Sequence, residues 1–213
     1  MARSKTSGRW LQEHVNDPYV KQAQKEGYRS RSAYKLIQLN ERDRLLWPGM
    51  RVVDLGSAPG GWSQVAGKIV GEKGRVIATY ILPMEALRNV EFVQGDFTGQ
   101  AVSDEILQRL SSQRADLVLC DMAPNISGVD SADQAGSIYL AELALDLTQR
   151  VLKVGGDFVV KIFQGEGSEA YLKQLRQAFT RLAVRKPAAS RARSREVYGV
   201  ARGLRVRSGG SSG

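Results

Sequence analysis

From residue 51 onward, short apolar runs alternate with longer stretches of helical periodicity. Residues 51–55 (RVVDL) are a compact, β-branched run and predict a strand. Glycines follow at once, and residues 60–70 predict a helix that they open, with a turn over 71–74. Further strands are predicted over 75–80, 90–93 and 115–120, the third strand closing on Gly95-Asp96, with a helix over 104–111. Residues 132–152 predict a long helix with Leu140, Leu143, Ala144 and Leu147 on one face, stopped by Gly155-Gly156. A strand over 157–162, a helix over 169–181 and strands over 183–186 and 196–201 complete the pattern. Alternation of this kind predicts an α/β domain, with a mainly parallel sheet and helices on both faces.

The segment ahead of the alternation reads differently. Residues 10–25 predict a helix interrupted at Asp17-Pro18. Residues 30–46 predict a second, with Ala33, Leu36, Ile37 and Leu39 near helical spacing, ended by Pro48-Gly49. The chain of 213 residues suits one domain, spanning 10–207. Residues 1–9 are expected to be a flexible basic segment and 208–213 a flexible linker.

Composition narrows the chemistry. The formal charge is +9 and the pI about 9.8, a balance that suits a polyanionic partner. Basic residues cluster over 21–44 and 181–195, with Tyr28 and Tyr34 interleaved in the first group. Lys21, Arg29, Arg31, Tyr34, Arg191, Arg193 and Arg195 are the candidate RNA contacts, through phosphate pairing and base stacking. Cys120 is the only cysteine and His14 the only histidine. An intramolecular disulfide is therefore impossible, and thiolate zinc sites and serine–histidine catalysis are disfavoured; no metal is expected. Cys120 is expected to pack near a strand end and His14 to lie on an exposed helix. No apolar run approaches membrane-spanning length and no signal-peptide pattern opens the chain, so a cytosolic monomer is expected.

The turn in VVDLGSAPGGWSQ is the candidate cofactor loop. Gly56 is followed by Ser57-Ala58-Pro59 and then Gly60-Gly61, so the G-x-G-x-x-G dinucleotide spacing fails, and Pro59 removes one N–H. S-adenosylmethionine, a zwitterion, needs no full diphosphate cradle. Tyr80 stands where nucleotide-binding α/β folds place an acidic residue for the ribose hydroxyls, and Asp96 is placed for an adenine amino group. Lys35, Asp121, Lys161 and Glu196, in the segments SAYKL, CDMAPN, VVKIFQGEG and SREVY, supply two amines and two carboxylates to handle a proton. Together these features point to methyl transfer onto a hydroxyl. Amine methylation is disfavoured because Asp121-Met-Ala-Pro124-Asn125 lacks an aromatic, and base-carbon methylation because Cys120 sits on a strand ahead of the motif.

The words RWLQEH, DLGSAPGGWSQ, QGDF, DMAPN, VVKIFQGEG and SRARSREVY run through nearly all the folded chain. On them the chain closely resembles the RrmJ/FtsJ ribosomal RNA 2′-O-ribose methyltransferases. The resemblance implies a Rossmann-like class I methyltransferase fold with a seven-stranded sheet, using S-adenosylmethionine. It implies that Gly60, Trp62, Asp96 and Asp121 line the cofactor site and that Lys35, Asp121, Lys161 and Glu196 form a catalytic tetrad. The implied substrate is a uridine ribose of large-subunit ribosomal RNA, presented on the 50S particle; in bacterial members it lies in the A-loop. Lys161 would act as neutral base or steady a developing alkoxide, oriented by Asp121 and Glu196.

One departure stands out. The family normally has aspartate where Tyr80 stands, in C-D-L-L-P-M rather than T-Y-I-L-P-M. Losing a charge-assisted hydrogen bond of roughly 1.5–3 kcal/mol would weaken cofactor binding about tenfold to a hundredfold, unless Glu85 compensates. Two rival readings follow: an RNA-binding or ribosome-assembly factor with catalysis impaired at Tyr80, and a nicotinamide-dependent oxidoreductase, which the glycine spacing disfavours.

Overall fold

The computed structural model describes residues 16–111, 113–124 and 130–206. The expectations for residues 1–9, His14 and 208–213, and the first part of the predicted 10–25 helix, lie outside the described residues.

Seven strands form one sheet among the described residues, in the order β3-β2-β1-β4-β5-β7-β6. They are β1 (Arg51–Leu55), β2 (Arg75–Tyr80), β3 (Val90–Gln94), β4 (Ala115–Cys120), β5 (Leu152–Phe163), β6 (Phe179–Arg185) and β7 (Glu196–Leu204). The first five run parallel; β7 is antiparallel to both β5 and β6. The helices are α1 (Pro18–Glu26), α2 (Ala33–Asp43), α3 (Gly61–Val70), α4 (Gln100–Arg109), α5 (Asp130–Val151) and α6 (Ser168–Ala178).

The strands are apolar on both faces because both are covered. Val53, Leu55, Val118, Val160 and Ile162 feed one core with residues of α4, α5 and α6. Val52, Leu117, Leu119, Val159 and Val200 feed the other with α2 and α3. No helix among the described residues is long and apolar enough to cross a membrane.

Several boundaries differ from the sequence reading, among them the helix expected over 104–111, which spans Gln100–Arg109, and four of the differences have a local reason. Asp17-Pro18 starts a helix: the Asp17 side chain accepts from the Tyr19 N–H at 3.0 Å, and Pro18 takes the first helical position. The second helix stops at Asp43 because Arg44 turns left-handed (φ 50°) and the Asn40 amide oxygen accepts from the Leu45 and Leu46 N–H groups. The long helix ends at Val151, within one residue of the expected end, but the Gly155-Gly156 pair is not what stops it. That pair lies within β5, where pairing shifts from Ala115 opposite Leu152 to Leu117 opposite Asp157. Finally, α6 gives way at Phe179, whose ring is buried against Phe158 and which pairs with Leu204 as the start of β6.

Candidate active site

Lys35, Asp121, Lys161 and Glu196 meet as two linked ion pairs. Lys35 Nζ lies 2.7 Å from Glu196 Oε1. Lys161 Nζ donates to the Asp121 carbonyl oxygen at 2.6 Å and lies 3.2 Å from Asp121 Oδ1. Both lysines and Glu196 are more than nine-tenths buried. Burial would raise the Glu196 carboxyl, but the charge and hydrogen bond of Lys35, with Lys161 beyond, outweigh it and hold the group below its ordinary value.

Strand register explains the meeting. Lys161 lies opposite Tyr198 in the β5–β7 ladder, and Phe163 lies opposite Glu196. Side chains directly opposite share a face, as do residues two apart, so these four project to one side of the sheet. Asp121 follows the last residue of the adjacent β4, and Lys35 comes down from α2.

Tyr198 was not singled out from the sequence, yet it joins the two pairs. Its hydroxyl donates to Asp121 Oδ1 at 2.7 Å, and Lys35 Nζ lies 5.8 Å from its ring centroid. Burial first, then the neighbouring carboxylates, raise its phenol well above the usual value, so it remains a donor. The signal was the period of two in Glu196-Val-Tyr198, which places both residues on one strand face.

Beside the tetrad opens a cleft of about 540 Å³ at the carboxyl ends of the parallel strands, where open α/β sheets bind ligands. Gly56, Tyr80, Asp96 and Asp121 line it, with Ile81, Tyr139 and Leu143 among its apolar residues. Gly56 holds φ +70°, and a Cβ there would run into Met122 at 1.9 Å, so only glycine lets the turn close against the β4 loop. Asp96 Oδ1 accepts from the Thr98 N–H and hydroxyl at 2.9 and 2.7 Å, which fixes the carboxylate at the rim. Glu85 offers no substitute for a carboxylate at position 80: its side chain is exposed and lies 3.8 Å from Arg29.

Gly60 and Trp62 stand behind the residues that line the cleft. Gly60 caps α3 at φ +109°, and a Cβ there would face Leu87, Arg29 and Met84. The Trp62 indole is buried, donates to the Ser32 carbonyl at 2.9 Å and packs on the Tyr198 ring with centroids 5.6 Å apart. It supports the acid site from behind. Only its backbone N–H, in the first turn of α3, is left for a ligand.

Under the loop, Asp54 is almost fully buried and accepts from the Ser63 hydroxyl at 2.5 Å. Burial, seconded by the Asp121 charge, pushes its carboxyl up to about 7 despite that hydrogen bond. Cys120 is also buried, at the end of β4 as expected, and burial pushes its thiol up to about 12, which makes it unreactive.

The basic residues divide. Lys21 is exposed on α1. Arg29 is a staple: its guanidinium donates to the Pro59, Glu85 and Ala86 carbonyls at 3.3, 2.8 and 2.9 Å. Arg31 pairs with Asp17 at 2.7 Å and donates to the Ala189 carbonyl, while Arg191 lies 3.6 Å from the same Asp17. Tyr34 is buried between Tyr19 and Tyr28, with ring centroids 5.5 and 5.6 Å away, and cannot stack on a base. Arg29, Arg31 and Tyr34, expected as RNA contacts, are thus engaged by partners within the protein. Arg193 and Arg195 are exposed and line a cavity next to the tetrad.

Comparison with known proteins agrees with this geometry. The FtsJ-like methyltransferase family model matches residues 28–204. The ribosomal RNA large subunit methyltransferase E of Stutzerimonas stutzeri is 65% identical over 205 residues, covering 96% of this chain and 100% of its own. That of Marinobacter nauticus is 63% identical over 206 residues, covering 97% and 100%. The crystal structure of a ribosomal RNA methyltransferase from Plasmodium falciparum superposes with a TM-score of 0.75 at 27% identity, covering 84% of this chain and 100% of that one. With its Rossmann-like sheet and its match over most of its length, the chain belongs to the FtsJ-like methyltransferase family.

Proposed function

We propose that the protein transfers the methyl group of S-adenosylmethionine to the 2′-hydroxyl of a uridine ribose in large-subunit ribosomal RNA, on the 50S particle in the cytoplasm. The observation that carries this reading is the Lys161–Asp121 pair beside the cleft, braced by Tyr198 and by the Lys35–Glu196 pair. The names of the 65% and 63% identical relatives support the ribosomal RNA substrate.

The cleft suits that cofactor. Its lining combines apolar surface from Ile81, Leu143 and Tyr139, able to cover an adenine, with the carboxylates of Asp96 and Asp121, able to accept from amino groups. Tyr80 can give the ribose a single phenolic hydrogen bond. When bound, the cofactor supplies an electrophilic methyl on a sulfonium.

The remaining work falls to the chain. Transfer onto oxygen needs in-line alignment and management of one proton on a very weak acid. Lys161 holds two contacts on Asp121, and its third N–H direction serves the acceptor oxygen. There its ammonium orients the hydroxyl and steadies the charge that grows on the oxygen as the new bond forms, while the proton released from the hydroxyl passes to the Asp121 carboxylate. Glu196 keeps Lys35 paired, which limits repulsion between the two ammonium groups. The assembly-factor alternative is not favoured, because the four side chains are brought together.

The test is transfer of labelled methyl from S-adenosylmethionine to large subunits lacking the modification. Wild-type protein should label them, and Lys161→Ala should lose at least about a hundredfold in kcat while binding cofactor normally. Near-normal turnover by that variant would remove Lys161 from the mechanism, and no labelling by the wild type would end the proposal.

A further inference from the structure

Ala123 and Pro124 line two cavities. One is the cofactor cleft. The other, of about 230 Å³, is bounded by Pro124, Phe163, Gln134, Asp130, Arg193 and Arg195. Phe163 stands two residues beyond Lys161 on the same face of β5, opposite Glu196, and Lys161 Nζ lies 5.8 Å from its ring centroid. An aromatic ring thus borders the amine in a cavity separate from the cleft.

We infer that this second cavity receives the base of the acceptor nucleotide, stacked on the Phe163 ring beside Pro124, with Arg193 and Arg195 on the adjoining phosphates. The inference rests on the reading above that the acceptor is a ribose hydroxyl. The base of a nucleotide is joined to C1′, the carbon next to the one bearing the 2′-oxygen. A hydroxyl held at Lys161 therefore has its base only a few bonds away, and the cavity that takes it must adjoin the amine. The cleft is occupied by the methyl donor, which leaves the Phe163 side. A base in that cavity is unstacked from its neighbours, so the acceptor is an unpaired or extruded nucleotide.

The wall is braced before any ligand arrives. Gln134 Nε2 donates to the Phe163 and Glu166 carbonyls at 2.9 and 3.0 Å, and the Gln164 N–H donates to the Arg195 carbonyl at 3.0 Å. The ring and the arginine segment therefore hold their positions relative to Lys161.

The experiment compares wild type, Phe163→Leu and Phe163→Tyr on large subunits lacking the modification, with cofactor affinity measured by calorimetry on each. Base–aromatic stacking predicts a loss of about fivefold to 150-fold in kcat/KM for Phe163→Leu. Phe163→Tyr should stay within about threefold of wild type, and cofactor affinity should be unchanged in both. Equal turnover by Phe163→Leu and wild type would overturn the inference while leaving ribose methylation intact. Equal losses in both variants, or a matching loss of cofactor affinity, would also overturn it by making Phe163 a packing residue. Failure of the wild type to label any RNA would instead sink the underlying reading.

Discussion

The hydroxyl of Tyr198 donates to Asp121 Oδ1 at 2.7 Å, the same carboxylate oxygen that lies 3.2 Å from the Lys161 amine. One oxygen therefore serves two partners, and the phenol sets the direction from which the carboxylate meets the lysine. In Tyr198→Phe the carboxylate keeps Lys161 but loses the phenol that sets its direction, a hydrogen bond to a charged group worth about 1.5–3 kcal/mol. We expect kcat to fall roughly tenfold to a hundredfold, with S-adenosylmethionine affinity within twofold of wild type. Single-turnover kinetics with calorimetry would check this, and an unchanged kcat would refute it.

Tyr80 lines the cleft at the end of β2, and Glu85 is directed to Arg29 instead of replacing a carboxylate. Tyr80→Asp should then tighten S-adenosylmethionine binding by about tenfold to a hundredfold. Isothermal calorimetry giving equal dissociation constants for the two proteins would contradict it.

Arg29 ties the segment ahead of α2 to Pro59 of the cofactor loop and to residues 85 and 86 beyond β2. Arg29→Ala releases both loops together, and cofactor affinity should drop about tenfold, since three modest hydrogen bonds are lost. The salt dependence of RNA binding should keep its slope, because this guanidinium is engaged internally. A reduced slope with cofactor affinity intact would return Arg29 to the RNA surface.

Asp54 gives a pH signature. In the folded chain its carboxyl holds a proton up to about pH 7, against an ordinary value of 3.8. Between those values the folded state binds more protons than the unfolded state, so stability falls as pH rises through the window. The cost at pH 8 is on the order of 4 kcal/mol. Asp54→Asn keeps an acceptor for Ser63 without a charge, so its melting temperature relative to wild type should rise from pH 5 to pH 8. A constant difference across that range would rule out the buried proton.

Much of this was legible in the sequence because parallel strands buried on both faces must be continuous apolar runs. β1, β2 and β4 fall where RVVDL, RVIATY and ADLVLC predict them. The tetrad residues likewise announced themselves as charges placed at the ends of such runs or inside distinctive words. What escaped was anything decided by a contact between distant segments. A basic residue has the same letter whether it meets phosphate or a carbonyl, so Arg29 and Arg31 read as RNA contacts. Tyr34 read as a stacking platform because nothing local shows that Tyr19 and Tyr28 enclose it. Trp62 sits in the middle of the cofactor motif, yet helical geometry turns its indole toward Ser32 and Tyr198. The bulge near Leu152 was hidden because a Gly-Gly pair signals a helix stop as readily as a strand irregularity.

The strand that carries Glu196 and Tyr198 is threaded between β5 and β6. Until it inserts, β6 has no neighbour in the sheet and Lys35 has no carboxylate. Completing the architecture therefore also completes the site, since with β7 in place Glu196 meets Lys35 and Tyr198 meets Asp121. A slip of one residue in that ladder would send Glu196 and Tyr198 to the opposite face, and folding fidelity in β7 doubles as a safeguard on the reaction.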